Sequence, residues 1–141
     1  MIIQFGDGGG SERYRISGWV APQKGLTFNW SDGKSARVSL PISANPGALT
    51  LKVRMGGLTN LPDLPFQPVE VYANGQKVAD LEVGKLADFD VSIPAEVTAT
   101  GERLELEFRI PKATSPKALG QSGDLRILGV FVVQMELAKV P

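Results

Sequence analysis

The chain contains no cysteine and no histidine among its 141 residues. Without cysteine there are no disulfides, no thiolate nucleophile and no cysteine-bound zinc, and the fold is indifferent to the redox state of its compartment. The absence of histidine removes the usual general base, the Ser/His/Asp triad and nearly all catalytic zinc sites at once. There is also no excess of either charge: Lys plus Arg and Asp plus Glu both number 15, interspersed along the chain. No electrostatic footprint for nucleic acid or an anionic membrane surface results. Long apolar runs are missing too. The longest, Ile127 to Met135, is about half of the roughly 20 residues a spanning helix needs, so direct membrane insertion is not expected. The opening Met1 to Gly10 lacks a basic region and an apolar region, so no secretory signal is expected. Work outside the cytoplasm would then require a longer parent chain.

What is present is period-two alternation. Leu49, Leu51, Val53 and Met55 alternate with Thr50, Lys52 and Arg54; Ala36, Val38, Leu40 and Ile42 with Arg37 and Ser39; Leu104, Leu106, Phe108 and Ile110 with Glu105, Glu107 and Arg109. This is the pattern of half-buried strands. Further strands are expected over 14–20, 26–30, 68–73, 77–83, 89–93 and 126–137. Asn74-Gly75 marks a hairpin, because a type I′ turn needs positive φ at both central residues. Ser115-Pro116 through Gly120 reads as one helical turn, with Ser capping, Pro at the first position and Gly ending it. No segment carries a long helical period. About eight to ten short strands without a βαβ rhythm predict one all-β domain over residues 1–141, a two-sheet antiparallel sandwich of the jelly-roll type.

Catalysis has few candidates. Carboxylate pairs survive the loss of histidine, yet Glu105 and Glu107 fall on outward strand positions, where solvated acids are the rule. Gly6-Asp7-Gly8-Gly9-Gly10-Ser11 lacks the Lys of a P-loop and leads into no helix, so it reads as a flexible entry loop. No cofactor is expected. A structural calcium ion on Asp7 or Asp32 with backbone carbonyls is the one metal to weigh, and no Asp-rich ligand series accompanies it.

The two tryptophans, Trp19 and Trp30, flank the turn at Pro22 to Gly25. Indole faces stack on the C–H faces of sugars while polar side chains bond the hydroxyls, so Trp beside polar loop residues suits a carbohydrate site. Core packing is the competing role. Trp30 is assigned to the core, whereas Trp19 is equally suited to core or surface.

Gly18-Trp19, Trp30-Ser31-Asp32-Gly33 and Ala36 to Leu40 together resemble an uncharacterised bacterial β-sandwich domain attached to membrane-bound glycosyltransferases and related envelope-polysaccharide proteins. Val71-Tyr72-Ala73-Asn74-Gly75, Ser115-Pro116 with Leu119-Gly120, and Asp124 to Gly129 extend the resemblance, which covers roughly residues 3 to 137. After Gly18-Trp19 the chain departs from that pattern, with Val20-Ala21-Pro22-Gln23 in place of Ser and Pro-Glu. The resemblance implies a galactose-binding-like jelly roll acting beside a glycan-handling enzyme, on the extracytoplasmic face of a bacterial envelope if carried by a longer membrane protein.

The leading expectation is a non-catalytic carbohydrate-binding or accessory module, with Trp19, Asp32, Arg37 and Arg126 as ligand contacts. The alternative is a structural domain that packs on a neighbouring domain or subunit, without a small-molecule ligand. One more expectation concerns the last strand. If Leu125, Ile127, Gly129, Phe131, Val133, Met135 and Leu137 share the core face, then Leu128, Val130 and Val132 point outward and need a cover, for which the Pro-rich loop Gly56 to Pro68 has the leucines.

Overall fold

A computed structural model describes residues 1–141. The alternating segments form ten strands: β1 (Ile2–Gln4), β2 (Arg15–Ser17), β3 (Asn29–Trp30), β4 (Ser35–Pro41), β5 (Leu49–Gly57), β6 (Gln67–Ala73), β7 (Gln76–Val83), β8 (Ala87–Ile93), β9 (Arg103–Arg109) and β10 (Val130–Lys139). One sheet runs β1-β10-β5-β8, with β3 also pairing β10; the other runs β2-β4-β9-β6-β7. All strand pairs are antiparallel. The two sheets face each other across the core, as the alternation requires. Leu51, Val53, Leu104, Leu106 and Phe108 are all buried in it.

Local signals also hold. Asn74 and Gly75 take φ of 47° and 81°, the double left-handed pair of a type I′ turn, and β6 and β7 pair across it. In the 115–120 turn the Ala118 N–H donates to Ser115 Oγ at 3.0 Å, and Gly120 closes it at φ 73°. Two short elements carried no signal, a 3-10 turn at Ser11–Arg13 and α1 (Ala95–Thr98).

The Gly6 to Gly10 loop is firmly tied. The Gly6 N–H donates to Asn29 Oδ1 at 2.7 Å, the Asp7 N–H to the Leu26 carbonyl at 2.8 Å and the Gly25 N–H to Asp7 Oδ2 at 3.1 Å. Its glycines suit it to tight backbone approach, and the expected flexibility gives way to these bonds.

In the final strand the structure overturns the expected face. Val132 pairs with Met55 but Gln134 pairs with Arg54, leaving Val133 as an extra residue, a β-bulge. A bulge reverses the alternation. Val130 and Val132 therefore point into the core before it, Met135 and Leu137 after it, and Phe131 is turned outward. Val130 and Val132 need no covering loop because the opposite sheet covers them. Only Leu128 behaves as expected. It is buried outside the main core cluster, as are Leu58 and Leu64 of the Pro-rich loop, and the Leu58 N–H donates to the Gly129 carbonyl at 2.8 Å. Leu61, at the loop tip, is 78% exposed and covers nothing.

Phe108 is the largest fully buried side chain. Phe108→Ala is expected to cost about 3–5 kcal/mol, read from the urea midpoint at unchanged slope; a loss below about 1 kcal/mol excludes its place in the core.

Candidate functional site

The four expected contact residues do not form one cluster. Trp19 Nε1 donates to the Arg37 carbonyl at 3.0 Å, and its ring lies 5.3 Å from that of Phe5, packed against the core. Its polar atom already has an internal partner. Arg37 stands on the outer face of the other sheet, where its Nε donates to Glu105 Oε1 at 2.9 Å, and that bond holds the guanidinium above its ordinary range. Nearby, burial works to raise the Glu107 carboxyl. The hydrogen bonds from Ser35 and Arg109 outweigh it, so the group stays ionised below its ordinary value. The two acids of β9 are thus committed to neighbouring donors.

Asp32 and Arg126 are brought together. Arg126 makes a forked pair with Asp124, its Nε 3.0 Å and its Nη2 2.6 Å from Asp124 Oδ2. That hydrogen bond is the main cause that raises Arg126 and lowers Asp124, and the charge of Asp32 adds to the effect on Arg126. Asp32 itself is exposed.

Asp32 leads to the site that the sequence assigned wrongly. Along 28–32 the polar residues point inward: Asn29 and Ser31 are buried, while Phe28 and Trp30 are half-buried and Asp32 is exposed. Buried polar groups require partners, and these have them. Asn29 accepts from the Gly6 N–H at 2.7 Å and donates to the Val20 carbonyl at 3.1 Å; Ser31 Oγ accepts from the Gly129 and Val130 N–H groups at 3.2 and 3.0 Å. Trp30 is consequently turned out of the core, beside Phe131, its cross-strand partner on β10.

Phe28, Trp30 and Phe131 form an aromatic group on the outer face of the first sheet. Ring centroids are 5.1 Å apart for Trp30 and Phe131, 5.2 Å for Phe28 and Phe131, and 6.4 Å for Phe28 and Trp30, with interplanar angles of 68°, 55° and 87°. These are edge-on and tilted contacts of the favourable kind, and no ring is covered face to face by another. Phe131 lies across β5 at Gly56, where any Cβ would come within 2.4 Å of the ring. Only glycine leaves that space open.

Polar side chains flank the rings on both sides. Asp32, Arg126 and Asp124 stand at one end. At the other, Gln4 Nε2 donates to Gln134 Oε1 at 2.8 Å, which leaves the Gln134 amide N–H groups and the Gln4 amide oxygen without protein partners. Arg54 follows, 3.5 Å from Asp88. An aromatic surface bordered by the Asp32 carboxylate and the free amide groups of Gln4 and Gln134 can receive a ligand with apolar C–H faces and a rim of hydroxyls.

Several solved structures share this architecture. The CBM36-1 domain of a multidomain xylanase from the hindgut metagenome of Trinervitermes trinervoides superposes with a TM-score of 0.59 at 10% identity, over 100% of this chain and 98% of that one. A CBM36 carbohydrate-binding module in complex with calcium and xylotriose gives 0.57 at 11% identity, over 98% and 99%. A CBM35 from Paenibacillus barcinonensis gives 0.55 at 9%, over 99% of both chains. The chain has the fold of these modules. No family model matches the sequence, and no curated protein does. At this identity the likeness concerns the fold alone, and the calcium and xylotriose belong to that neighbour.

The calcium reading rests on Asp7 or Asp32 with backbone carbonyls. No three acidic side chains converge anywhere in the structure. Asp7 is engaged by the Gly25 N–H, and Asp32 lies in the field of cationic Arg126.

The two tryptophans are expected to respond differently to truncation. Trp19→Ala removes a ring packed on the core and a hydrogen bond, and should cost about 2–4 kcal/mol; Trp30→Ala, on the outer face, should cost about 1 kcal/mol. Chemical denaturation of the two variants checks the assignment, and the reverse order refutes it.

Proposed function

We propose that this chain is a non-catalytic carbohydrate-binding module that receives its glycan on Phe28, Trp30 and Phe131. The observation that carries the reading is the outward aromatic group itself, held by inward Asn29 and Ser31 and bordered by Asp32, Arg126, Gln4 and Gln134. Three aromatic rings gathered on a sheet surface invite a partner, and the adjacent amide and charged groups match hydroxyls better than an apolar protein surface. The shared fold with carbohydrate-binding modules supports the same reading. Asp32, whose carboxylate is tied to no side chain, keeps its proposed ligand role. Arg126 and Arg37, each held through Nε and Nη2 by a neighbouring acid, and Trp19, held by a carbonyl, are better suited to a structural one.

A non-catalytic role is consistent with the absence of histidine and cysteine and with the commitment of Glu105 and Glu107 to Arg37, Ser35 and Arg109. The module would serve a glycan-handling enzyme, with a glycosyltransferase of the bacterial envelope as the proposed parent and the extracytoplasmic face as its place. A second reading, docking on a neighbouring domain, is favoured by Leu61 and Leu125, which stand 78% and 69% exposed on two loops joined by the bond from Gln121 Nε2 to the Thr59 carbonyl.

A glycan array followed by titration of intrinsic tryptophan fluorescence tests the proposal. Binding that changes the emission of the wild type and weakens about tenfold or more in Trp30→Ala, roughly 1.4 kcal/mol, with the melting transition retained, is the expected result. No binder on the array, or undiminished binding by Trp30→Ala, overturns it.

A further inference from the structure

The aromatic group occupies one end of the outer face of the first sheet, and the remainder of that face continues as a surface of consistent chemistry. Beyond Phe131 the outward positions of β10 are Gln134 and Glu136, opposite Arg54 and Lys52 of β5. On β8 those two residues meet Asp88 and Asp90. At the far end lies a shallow hollow of about 310 Å³ lined by Thr50, Lys52, Asp90, Glu136 and Ala138. Ile2, paired with Glu136 and 58% exposed, stands beside it.

We propose, resting on the carbohydrate reading above, that the face from Trp30 to Glu136 is one continuous site for an uncharged linear glycan of at least three sugar rings. Because the bulge at Val133 takes up one residue, Phe131 to Glu136 spans four register steps of β5, about 13 Å, and the hollow at Ala138 and Thr50 extends the face to six steps, about 20 Å, which accommodates three linked pyranoses. The order of groups along it suits such a chain. One ring rests on the aromatic group, a second lies over the exposed amides of Gln4 and Gln134, and a third enters the hollow at Lys52 and Glu136, with Ile2 as its apolar border. An uncharged ligand follows from the charges. Arg54 lies 3.5 Å from Asp88, and Lys52, which makes no ion pair, stands between Asp90 and Glu136 in the register, so three acids outnumber the two cations on this face. An anionic glycan would meet a surplus of acid.

Calorimetric titration with β-1,4-linked xylose and glucose oligomers of one to six units tests the length, and trigalacturonate tests the charge. Affinity is expected to rise about tenfold or more between the disaccharide and the trisaccharide or tetrasaccharide, and then to level off. Glu136→Ala and Asp90→Ala, both at exposed or half-exposed positions, should remove that gain while leaving disaccharide binding unchanged; Trp30→Ala should weaken every length alike. Trigalacturonate should bind at least about tenfold more weakly than the best neutral trisaccharide. Disaccharide binding with no gain from length, equal loss at all lengths in Glu136→Ala, or tighter binding of trigalacturonate overturns the extended neutral site and leaves the aromatic site standing. Absence of binding by both neutral series overturns the extended site; with a blank array, the carbohydrate reading falls as well.

Discussion

The inward placement of two small polar side chains, Asn29 and Ser31, is the constraint on which the proposed surface depends. Each sits where an aliphatic residue would ordinarily fill the sandwich, and each is tolerated because backbone groups of neighbouring segments meet it. Ser31 accepts from both Gly129 and Val130 and so secures the start of the last strand; Asn29 links the entry loop at Gly6 to the segment at Val20. With those positions turned in, strand geometry turns Phe28, Trp30 and Asp32 out. The loss of one hydroxyl or amide would leave buried N–H groups unpaired, which explains why so small a segment can hold three large rings or charges at the surface.

The bulge at Val133 is the counterpart of that inversion on the opposing strand. Without it, a single alternation along β10 would place either Phe131 or Met135 and Leu137 on the wrong side. The extra residue lets one strand present an aromatic ring outward at its start and aliphatic residues inward at both ends. Gly56 completes the arrangement by leaving room for the Phe131 ring across β5. Three local irregularities, none of them costly alone, thus converge on one surface.

The outer faces of the two sheets differ in how their polar groups are used. On β4, β9, β6 and β7 the side chains bond one another: Arg37 with Glu105, Ser35 and Arg109 with Glu107, Lys77 with Glu70 and Asp80, and Arg109 lies 3.8 Å above the Tyr72 ring. Exposed pairs of this kind add little stability, but they occupy the donors and acceptors that a ligand would need. The face of β10, β5 and β8 keeps aromatic carbon and amide groups available, and this contrast is the reason for proposing the site on the first sheet.

The regular parts of the molecule were legible in the residues. The alternations at 36–42, 49–55 and 104–110, the Asn74-Gly75 turn and the 115–120 turn each rest on interactions within a few residues, so local pattern sufficed to place the strands, the antiparallel sandwich and most of its core. The missing histidine and cysteine likewise limited the chemistry before any fold was considered. What sequence could not decide was which side a residue faces where alternation is broken. Phe-Asn-Trp-Ser-Asp reads as aromatic residues inward and polar residues outward, because burial follows hydrophobicity unless buried polar atoms find partners. Those partners come from Gly6, Val20, Gly129 and Val130, as much as 99 positions distant. The extra residue at Val133 is likewise visible only against its partner strand. Sequence therefore determined the fold and the kinds of side chain available for recognition; tertiary hydrogen bonding and strand register decided that Trp30, not Trp19, stands at the surface.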